Sequence, residues 1–351
     1  MSGRKGLVRL AGLVLAAVLL CAAVAPALAQ DKDAEKAKYI WKMATLAPKG
    51  VGWAIHVNNL LLPWVKKMSN GEVYIKIYWG GVMGDEDAAI KKMSIGQLQG
   101  GGFSGQGATM LCPEFAVFEL PFLFNDYGEV DYIKDTMTES MDKQMEKYGV
   151  KFLMWGDQDF DQIYSTRWPL NKLDEFRKAK FFTWYGELEA EVFKKLGVVP
   201  ITIDVPEAPT AVRQGIADSA IAPSIFMVGT QMYNIVKYVN PVKIRYSPGP
   251  IVVTLAAYNE LPPAYKETFS KDRYNLVKEF CKLARIDNQK CLDAMIKYGV
   301  KKVEMSPDEL AKMKSLTRPV WDEMAGKLYP KSLLEEVQSR LAEYRSKHPT
   351  K

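Results

Sequence analysis

Apolar residues recur along this chain in two alternating periods. Residues 39–46 read as a first strand, and Ala47-Pro48-Lys49-Gly50 as the loop that leaves it. Residues 53–68 bring Ile55, Leu60, Leu61, Trp64 and Val65 to one broad face. That spacing predicts an amphipathic helix, kinked or interrupted at Pro63. After a turn at Asn70-Gly71, Val73, Ile75, Ile77 and Trp79 alternate with Tyr74, Lys76 and Tyr78, the period of a strand. Residues 85–95 predict a helix closed by Gly96, and 99–104 a short strand running into Gly-rich chain. The series β-α-β-α-β implies parallel pairing in a doubly wound sheet.

A second series follows. Residues 127–148 predict a helix, 151–155 a strand that breaks at Gly156-Asp157, and 181–185 another strand. Helices over 188–196, 206–214 and 226–239 then alternate with strands over 198–203 and 217–222. Two more extended runs, 242–246 and 251–257, precede a long helix over 262–298, with an interruption expected about residues 270–272. A short strand is expected at 302–305. Ser306-Pro307-Asp308-Glu309 has the cap, proline and acids of a helix start, and 332–347 is an amphipathic terminal helix. The pattern implies two α/β lobes joined by more than one crossing, with no fixed-period repeat.

Residues 150–186 concentrate the candidate chemistry. They carry Trp155, Phe160, Trp168, Phe181, Phe182, Trp184 and Tyr185, with Asp157, Asp159 and Asp161 among them. Strand ends that bear both rings and carboxylates suit a cleft between lobes. Alternation puts Phe182 and Trp184 on one face and Phe181 on the other, as core. Asp159 and Asp161 would share a face, the one pairing that an enzyme reading could use. No Gly-x-Ser-x-Gly elbow, metal-ligand spacing or histidine accompanies them, so the chain is not read as an enzyme. The glycines of Gly100-Gly101-Gly102-Phe103-Ser104-Gly105-Gln106-Gly107 lack the Gly-Lys-Ser/Thr ending of a phosphate loop. They read as close backbone approach at a strand end, beside a ligand.

The start of the chain changes the compartment. Arg4, Lys5 and Arg9 precede an apolar run over 10–24, and Ala27-Leu28-Ala29 has the small-x-small form of a cleavage signal. The expectation is a signal peptide over 1–29, cleaved after Ala29, and export to the periplasm. No other stretch has the length and apolarity of a membrane span. Loss of the leader's three basic residues takes the 47 Lys and Arg to 44, against 41 Asp and Glu. That mild balance, with both signs interleaved, gives no reason to expect nucleic acid. At 48% hydrophobic and 25% charged, the 351 residues have the composition of a soluble globular protein. With two histidines, His56 and His348, and no Cys-x-x-Cys, no metal or other cofactor is expected. Cys112, Cys281 and Cys291 are read as three separate buried thiols. The last two share one helical stretch about 15 Å apart, beyond disulfide reach.

The order of motifs then becomes informative. Thr45-Leu46-Ala47-Pro48-Lys49-Gly50, Trp79-Gly80-Gly81-Val82-Met83-Gly84-Asp85 and the run from Pro113-Glu114-Phe115 to Leu120-Pro121-Phe122 resemble the DctP family. These are the extracytoplasmic solute-binding proteins of TRAP transporters. The resemblance continues through Pro206-Glu207-Ala208-Pro209-Thr210 and Tyr246-Ser247-Pro248 and spans nearly all of the mature chain. It implies a two-lobe periplasmic binding protein of type II-like form, with a hinge and a long helix across both lobes. Lobe I would be 30–158 with 248–286, and lobe II 159–247 with 287–351. It also implies a small-molecule solute, TRAP permease subunits as membrane partners, and a monomer or a homodimer formed through C-terminal helices.

Three positions depart from the family. Its arginine for the ligand carboxylate falls at Phe182, a second arginine at Asp161, and a ligand-holding asparagine at Ala222. A carboxylate placed there loses a guanidinium fork and meets a like charge. The expected ligand is therefore largely apolar or neutral. It would be held by Phe103, Ser104, Trp155, Asp157, Phe160, Asp161, Phe182, Trp184, Ala222, Ile225 and Phe226, with Asp157 or Asp161 orienting a hydroxyl or a cation. The alternative is an organic acid held by another cation, Lys49, Arg167 or Arg245.

Overall fold

A computed structural model describes residues 32–184 and 186–349. The signal peptide and its cleavage after Ala29, together with Cys21 and Tyr185, lie outside the described residues.

Two sheets organise the chain. The first combines β1 (Tyr39–Thr45), β2 (Val73–Tyr78), β3 (Gly100–Gly102), β4 (Val150–Met154) and β10 (Ile251–Thr254) in the order β2-β1-β3-β10-β4. Strand β1 is parallel to β2 and β3, as the alternating pattern predicts, whereas β10 runs antiparallel to both β3 and β4. The second sheet combines β5 (Asp157–Ser165), β8 (Ser219–Ala222), β9 (Tyr238–Pro248) and β11 (Lys301–Lys302) in the order β11-β9-β5-β8. The parallel pair β6 (Phe182–Thr183) and β7 (Ile201–Thr202) joins it through a bridge from Phe181 to Ser219. Phe181 and Phe182 enter different apolar clusters, as strand alternation requires.

The helices that matter for the cleft are α1 (Glu86–Ser94), α2 (Gly105–Leu111), α3 (Tyr127–Lys147), α4 (Gly186–Lys195), α5 (Ser224–Gly229), α6 (Pro263–Lys297) and α7 (Lys331–Lys347). Asp85, Ser104 and Asp126 cap α1, α2 and α3 with their side chains. Helix α6 runs without the interruption expected about 270–272. Cys281 and Cys291 both lie on it, and Cys112, Cys281 and Cys291 are free thiols, Cys291 half-buried. Before Pro63 the helix over 53–68 passes through a π-helical stretch, Val57–Leu61, because proline offers no N–H to the carbonyl four residues back.

Three expectations fail in the second half, the first being the extended run over 251–257, which stops at Thr254 where Leu255–Asn259 turns helical. Residues 226–239 are not one helix: α5 ends at Gly229, and strand β9 begins at Tyr238. The acids after Gly156, read as residues at strand ends, belong to the body of a strand. They lie on β5, buried, with a bulge in the pairing between Asp157 and Asp159. Alternating acids disguise a strand whose neighbours supply partners for each of them.

The chain crosses between the sheets at Trp155-Gly156, at Gly249-Pro250 and along α6. The first two crossings touch, with Gly249 N donating to Gly156 O at 2.6 Å. The Trp53 ring lies against both, so a β-carbon on Gly156 or Gly249 would stand 2.6 or 2.3 Å from it. The indole N–H donates to Asp157 O at 2.8 Å. The Asp157 carboxylate, fully buried, accepts from Lys134 at 2.8 Å, Arg285 Nε at 2.5 Å and Tyr246 Oη at 2.5 Å. Arg285 also grips Asp131 with two bonds. Burial would raise the Asp157 carboxyl, but Lys134 and Arg285 outweigh it and hold it at about 2. One carboxylate thus ties α3, α6 and β9 to the start of β5. His56 bonds Asp287 of α6 at 2.7 Å.

The terminal helix does not follow the second sheet. Helix α7 packs on α3 and on the Pro113–Glu119 turn, burying Leu334, Val337 and Leu341. Arg345 closes the contact with two bonds to Glu129, 2.8 Å each. The stripe expected on this helix is thereby docked on its own chain.

Replacing Asp157 by Ala leaves buried Lys134 and half-buried Arg285 with Asp131 as their one remaining carboxylate, and urea unfolding is expected to show a loss of about 3 kcal/mol. Removing the exposed Lys271–Glu267 pair should leave the unfolding midpoint essentially where it is. Because the Asp157 carboxyl is depressed, its contribution is present above the ordinary aspartate value, about 3.9. It should fade as pH falls from there toward 2, so wild type and Asp157→Asn converge in that window.

Candidate ligand-binding site

A cavity lies where the two sheets face each other, with about 80 Å³ open to the centre of a water molecule. That is several times the roughly 10–15 Å³ a cavity needs to hold one water, so a small organic solute is the scale of occupant it suits. The end of β1 and its loop supply Thr45, Leu46, Ala47, Pro48 and Val51, and the helix start after it supplies Trp53. Glu86 comes from α1, and Gly102, Phe103 and Ser104 from the end of β3. The other wall is Gln158, Trp184, Val205, Pro223, Ile225 and Phe226, mostly from the ends of β6, β7 and β8. These are strand ends at a crossing, where open α/β sheets hold ligands. The walls touch: Pro48 lies against Gly229, Ile225 against Gly52, and Val205 N reaches Asp85 Oδ2 at 3.3 Å.

Most of this lining is apolar or aromatic. Trp184 packs on Phe226 with centroids 4.8 Å apart and stacks on Phe182 at 5.5 Å. Helix α6 holds the second wall, Asn288 Oδ1 accepting from Ile225 N at 2.9 Å. Glu86 is the one charged side chain among the described lining residues. It is 5% exposed, and its oxygens accept from Ser104 N and Ser104 Oγ, both at 2.5 Å. Burial pushes its carboxyl up to about 7, against the pull of the Ser104 bonds.

Further acids stand behind the cavity. Asp161 on β5 faces Arg245 across the ladder, and Arg245 Nε donates to Asp161 Oδ2 at 2.6 Å. Arg245 Nη2 pairs with Glu189 Oε1 of α4 at 2.9 Å, and Thr183 Oγ1 donates to the other Glu189 oxygen. Glu119 comes from the turn before α3, and a β-carbon on Gly105 would stand 2.0 Å from its Oε2. Glycine is required there. Burial lifts the Glu119 carboxyl to about 8 despite Arg245, and burial raises Asp161 and Glu189 too. Glu119 Oε2 and Asp161 Oδ1 are buried without a hydrogen-bond partner.

Of the residues singled out in the sequence, Phe103, Ser104, Trp184, Ile225 and Phe226 meet at the cavity. The other six do not line it. Trp155 packs among Phe115, Phe118 and Phe152 and borders a groove between α3 and α6. Asp157 is consumed by Lys134 and Arg285, and Asp161 by Arg245. Phe160 packs between Tyr127 and Tyr246. Phe182 and Ala222 are buried in the apolar cluster of the second sheet, Phe182 backing Trp184. Asp159 accepts from Tyr127, so it forms no acid–base pair with Asp161 at the cavity. Of the alternative cations, Lys49 and Arg167 are exposed and outside the lining, and Arg245 is held by acids.

Trp53, Glu86, Gln158, Val205 and Pro223 were not anticipated. Glu86 directly follows one family-like motif, and Leu46, Ala47 and Pro48 belong to another. Those motifs were the available signal.

The family described as bacterial extracellular solute-binding protein, family 7 (DctP) matches residues 44–328. A C4-dicarboxylate-binding periplasmic protein, DctP of Rhodobacter capsulatus, is 26% identical over 333 residues, 91% of this chain and 94% of that one. In fold, the chain is similar to the sugar acid binding protein DctPAm from Advenella mimigardefordensis, solved with galactonate. The TM-score is 0.81 at 21% identity, over 88% of this chain and 99% of that one. It is equally similar to a TRAP periplasmic solute-binding protein from Desulfovibrio salexigens with bound orotic acid. There the TM-score is 0.82 at 16% identity, over 87% and 99%.

The raised acids set a pH dependence. A carboxyl whose value is higher folded than unfolded favours the folded state at low pH. That advantage is lost as pH rises from the ordinary value toward the folded one. Ligand-free protein should therefore lose stability between about pH 5 and 8, by up to about 1.4 kcal/mol per pH unit for each such group. Glu119→Gln should flatten the slope and raise the melting temperature at pH 8. An unchanged slope would contradict the assignment.

Proposed function

This chain belongs to the bacterial extracellular solute-binding proteins of family 7, and we propose that it captures a small, largely apolar or neutral solute by hinge closure and hands it to a membrane transporter. The family's proteins bind substrates for transport and are not enzymes. It is extracytoplasmic and works with a membrane permease of the TRAP type. Export through a leader cleaved after Ala29 fits that setting.

One observation carries the ligand class: the described lining holds no cation, and its one charge is a carboxylate. A ligand carboxylate beside Glu86 would be buried without an opposite charge. The cost is on the order of 3–5 kcal/mol, roughly a few hundred- to a few thousand-fold in affinity. Phe103, Trp184, Ile225 and Phe226 are proposed to clasp an apolar body, with Ser104 beside its polar end. Lobe I, residues 30–158 with 248–286 and the terminal helix docked on α3, is proposed to close on lobe II, 159–247 with the chain from 287 up to that helix. Closure turns about Trp155-Gly156 and Gly249-Pro250 and shifts an open–closed equilibrium toward the form that the transporter reads. The second reading is a carboxylate ligand, favoured by the dicarboxylate for which the Rhodobacter capsulatus relative is named.

A thermal-shift screen of the mature protein separates the two. Neutral and largely apolar solutes should raise the melting temperature by several degrees at a hundredfold excess over Kd, from about 2.7 kcal/mol of linkage. Succinate, malate and gulonate should leave it unchanged. Stabilisation by these acids alone would overturn the reading.

A further inference from the structure

We propose that the solute carries a protonated amine on an apolar body and that Glu86 receives the amine. This rests on the reading of this cavity as the solute site and narrows the ligand's class.

The Glu86 carboxylate has hydrogen bonds but no counter-charge. Its partners are the backbone N–H and hydroxyl of Ser104 and the backbone N–H of Gly107, and neutral donors do not cancel a buried charge. The charged groups facing it are Asp85 at the start of its own helix and Glu119 from the Pro113–Glu119 turn, both acids. Three neutral donors leave about one of the carboxylate's four acceptor positions open, so an N⁺–H can bond there with Ser104 in place.

The surroundings repeat the same sign. Behind Ser104, Glu119, Asp161 and Glu189 share the single guanidinium of Arg245. Glu119 Oε2 and Asp161 Oδ1, in side chains 3% and 0% exposed, are left without hydrogen-bond partners. Burial keeps Glu119 protonated up to about pH 8, so this acid-rich floor adds negative charge beneath the cavity only as pH rises toward that value. The described residues offer no group of three His, Cys, Asp or Glu that could hold a metal ion, so the charge is an organic one. The walls agree, since Trp53, Phe103, Trp184 and Phe226 present rings, and aromatic faces attract ammonium groups. An alcohol would satisfy a lone pair but leave the charge, and a carboxylate would be repelled.

The test uses matched probes: isobutyl, cyclohexylmethyl and benzyl bodies, each as the amine, the alcohol and the carboxylate. Kd values for the mature protein come from thermal-shift and calorimetric titration. The amines should bind at least about 10-fold tighter than their alcohols, and the carboxylates should not bind. Glu86→Gln should bring the amine-to-alcohol ratio near one. A wild-type readout guards against a variant that fails to fold. Amine affinity should climb between pH 6 and 8 as Glu86, pushed up to about 7, gains its charge, with Glu119 adding in the same direction. Alcohol affinity should stay flat. Alcohols binding as tightly as amines, or an amine affinity flat with pH, would overturn the inference and leave the apolar-cavity reading standing. Carboxylates binding best, or none of the nine probes binding, would overturn both.

Discussion

Arg245 is held inside the protein by Asp161 and Glu189, and the character of the cleft follows from that pairing. A guanidinium beside a ligand pocket would select anions. Bound to two buried carboxylates, it has no spare charge to offer, and a third acid, Glu119, stands near it. The interior behind the cavity therefore carries more acid than base. Protonation absorbs the difference, which is why several carboxyls are displaced upward by burial. The cavity itself keeps one charged wall group, Glu86, surrounded by rings and aliphatic side chains.

A second charged centre has a different role. Asp157 accepts from Lys134, Arg285 and Tyr246 where the chain passes from the first sheet to the second. Here two cations meet the buried carboxylate directly, with Asp131 as the second acid of the cluster, and the Asp157 carboxyl is driven down. Trp53 connects this centre to the cleft, since its indole bonds Asp157 O, fills the space that Gly156 and Gly249 leave open, and lines the cavity. A ligand against Trp53 thus presses on a ring seated directly on the two crossings. That contact gives ligand and hinge a shared mechanical element.

Much of the scaffold was legible because strand and helix periods were strong where one face is buried. The strands β1 and β2, helix α3 and the capped start at Ser306 appear within a residue or two of expectation. Strand β5 was not legible, because Asp157, Asp159 and Asp161 break the apolar alternation that marks a buried strand. Their partners, Lys134, Tyr127, Arg245 and Arg285, come from other parts of the chain, and no local pattern announces them. The cavity was legible in part. Rings at strand ends pointed to Trp184 and Phe226, but buried acids looked the same as acids facing a ligand. Phe182 illustrates the limit: alternation gave its face correctly, yet that face is filled by Trp184 before it reaches the cavity.

The central claim is that the cleft takes a solute without a carboxylate. The most direct measurement is native mass spectrometry of the mature protein from its own host, followed by release and identification of the bound molecule. The molecule released is expected to be a small solute with an apolar body and no carboxylate group. Recovery of an organic acid, bound in a one-to-one complex that Arg245→Ala abolishes, would contradict it.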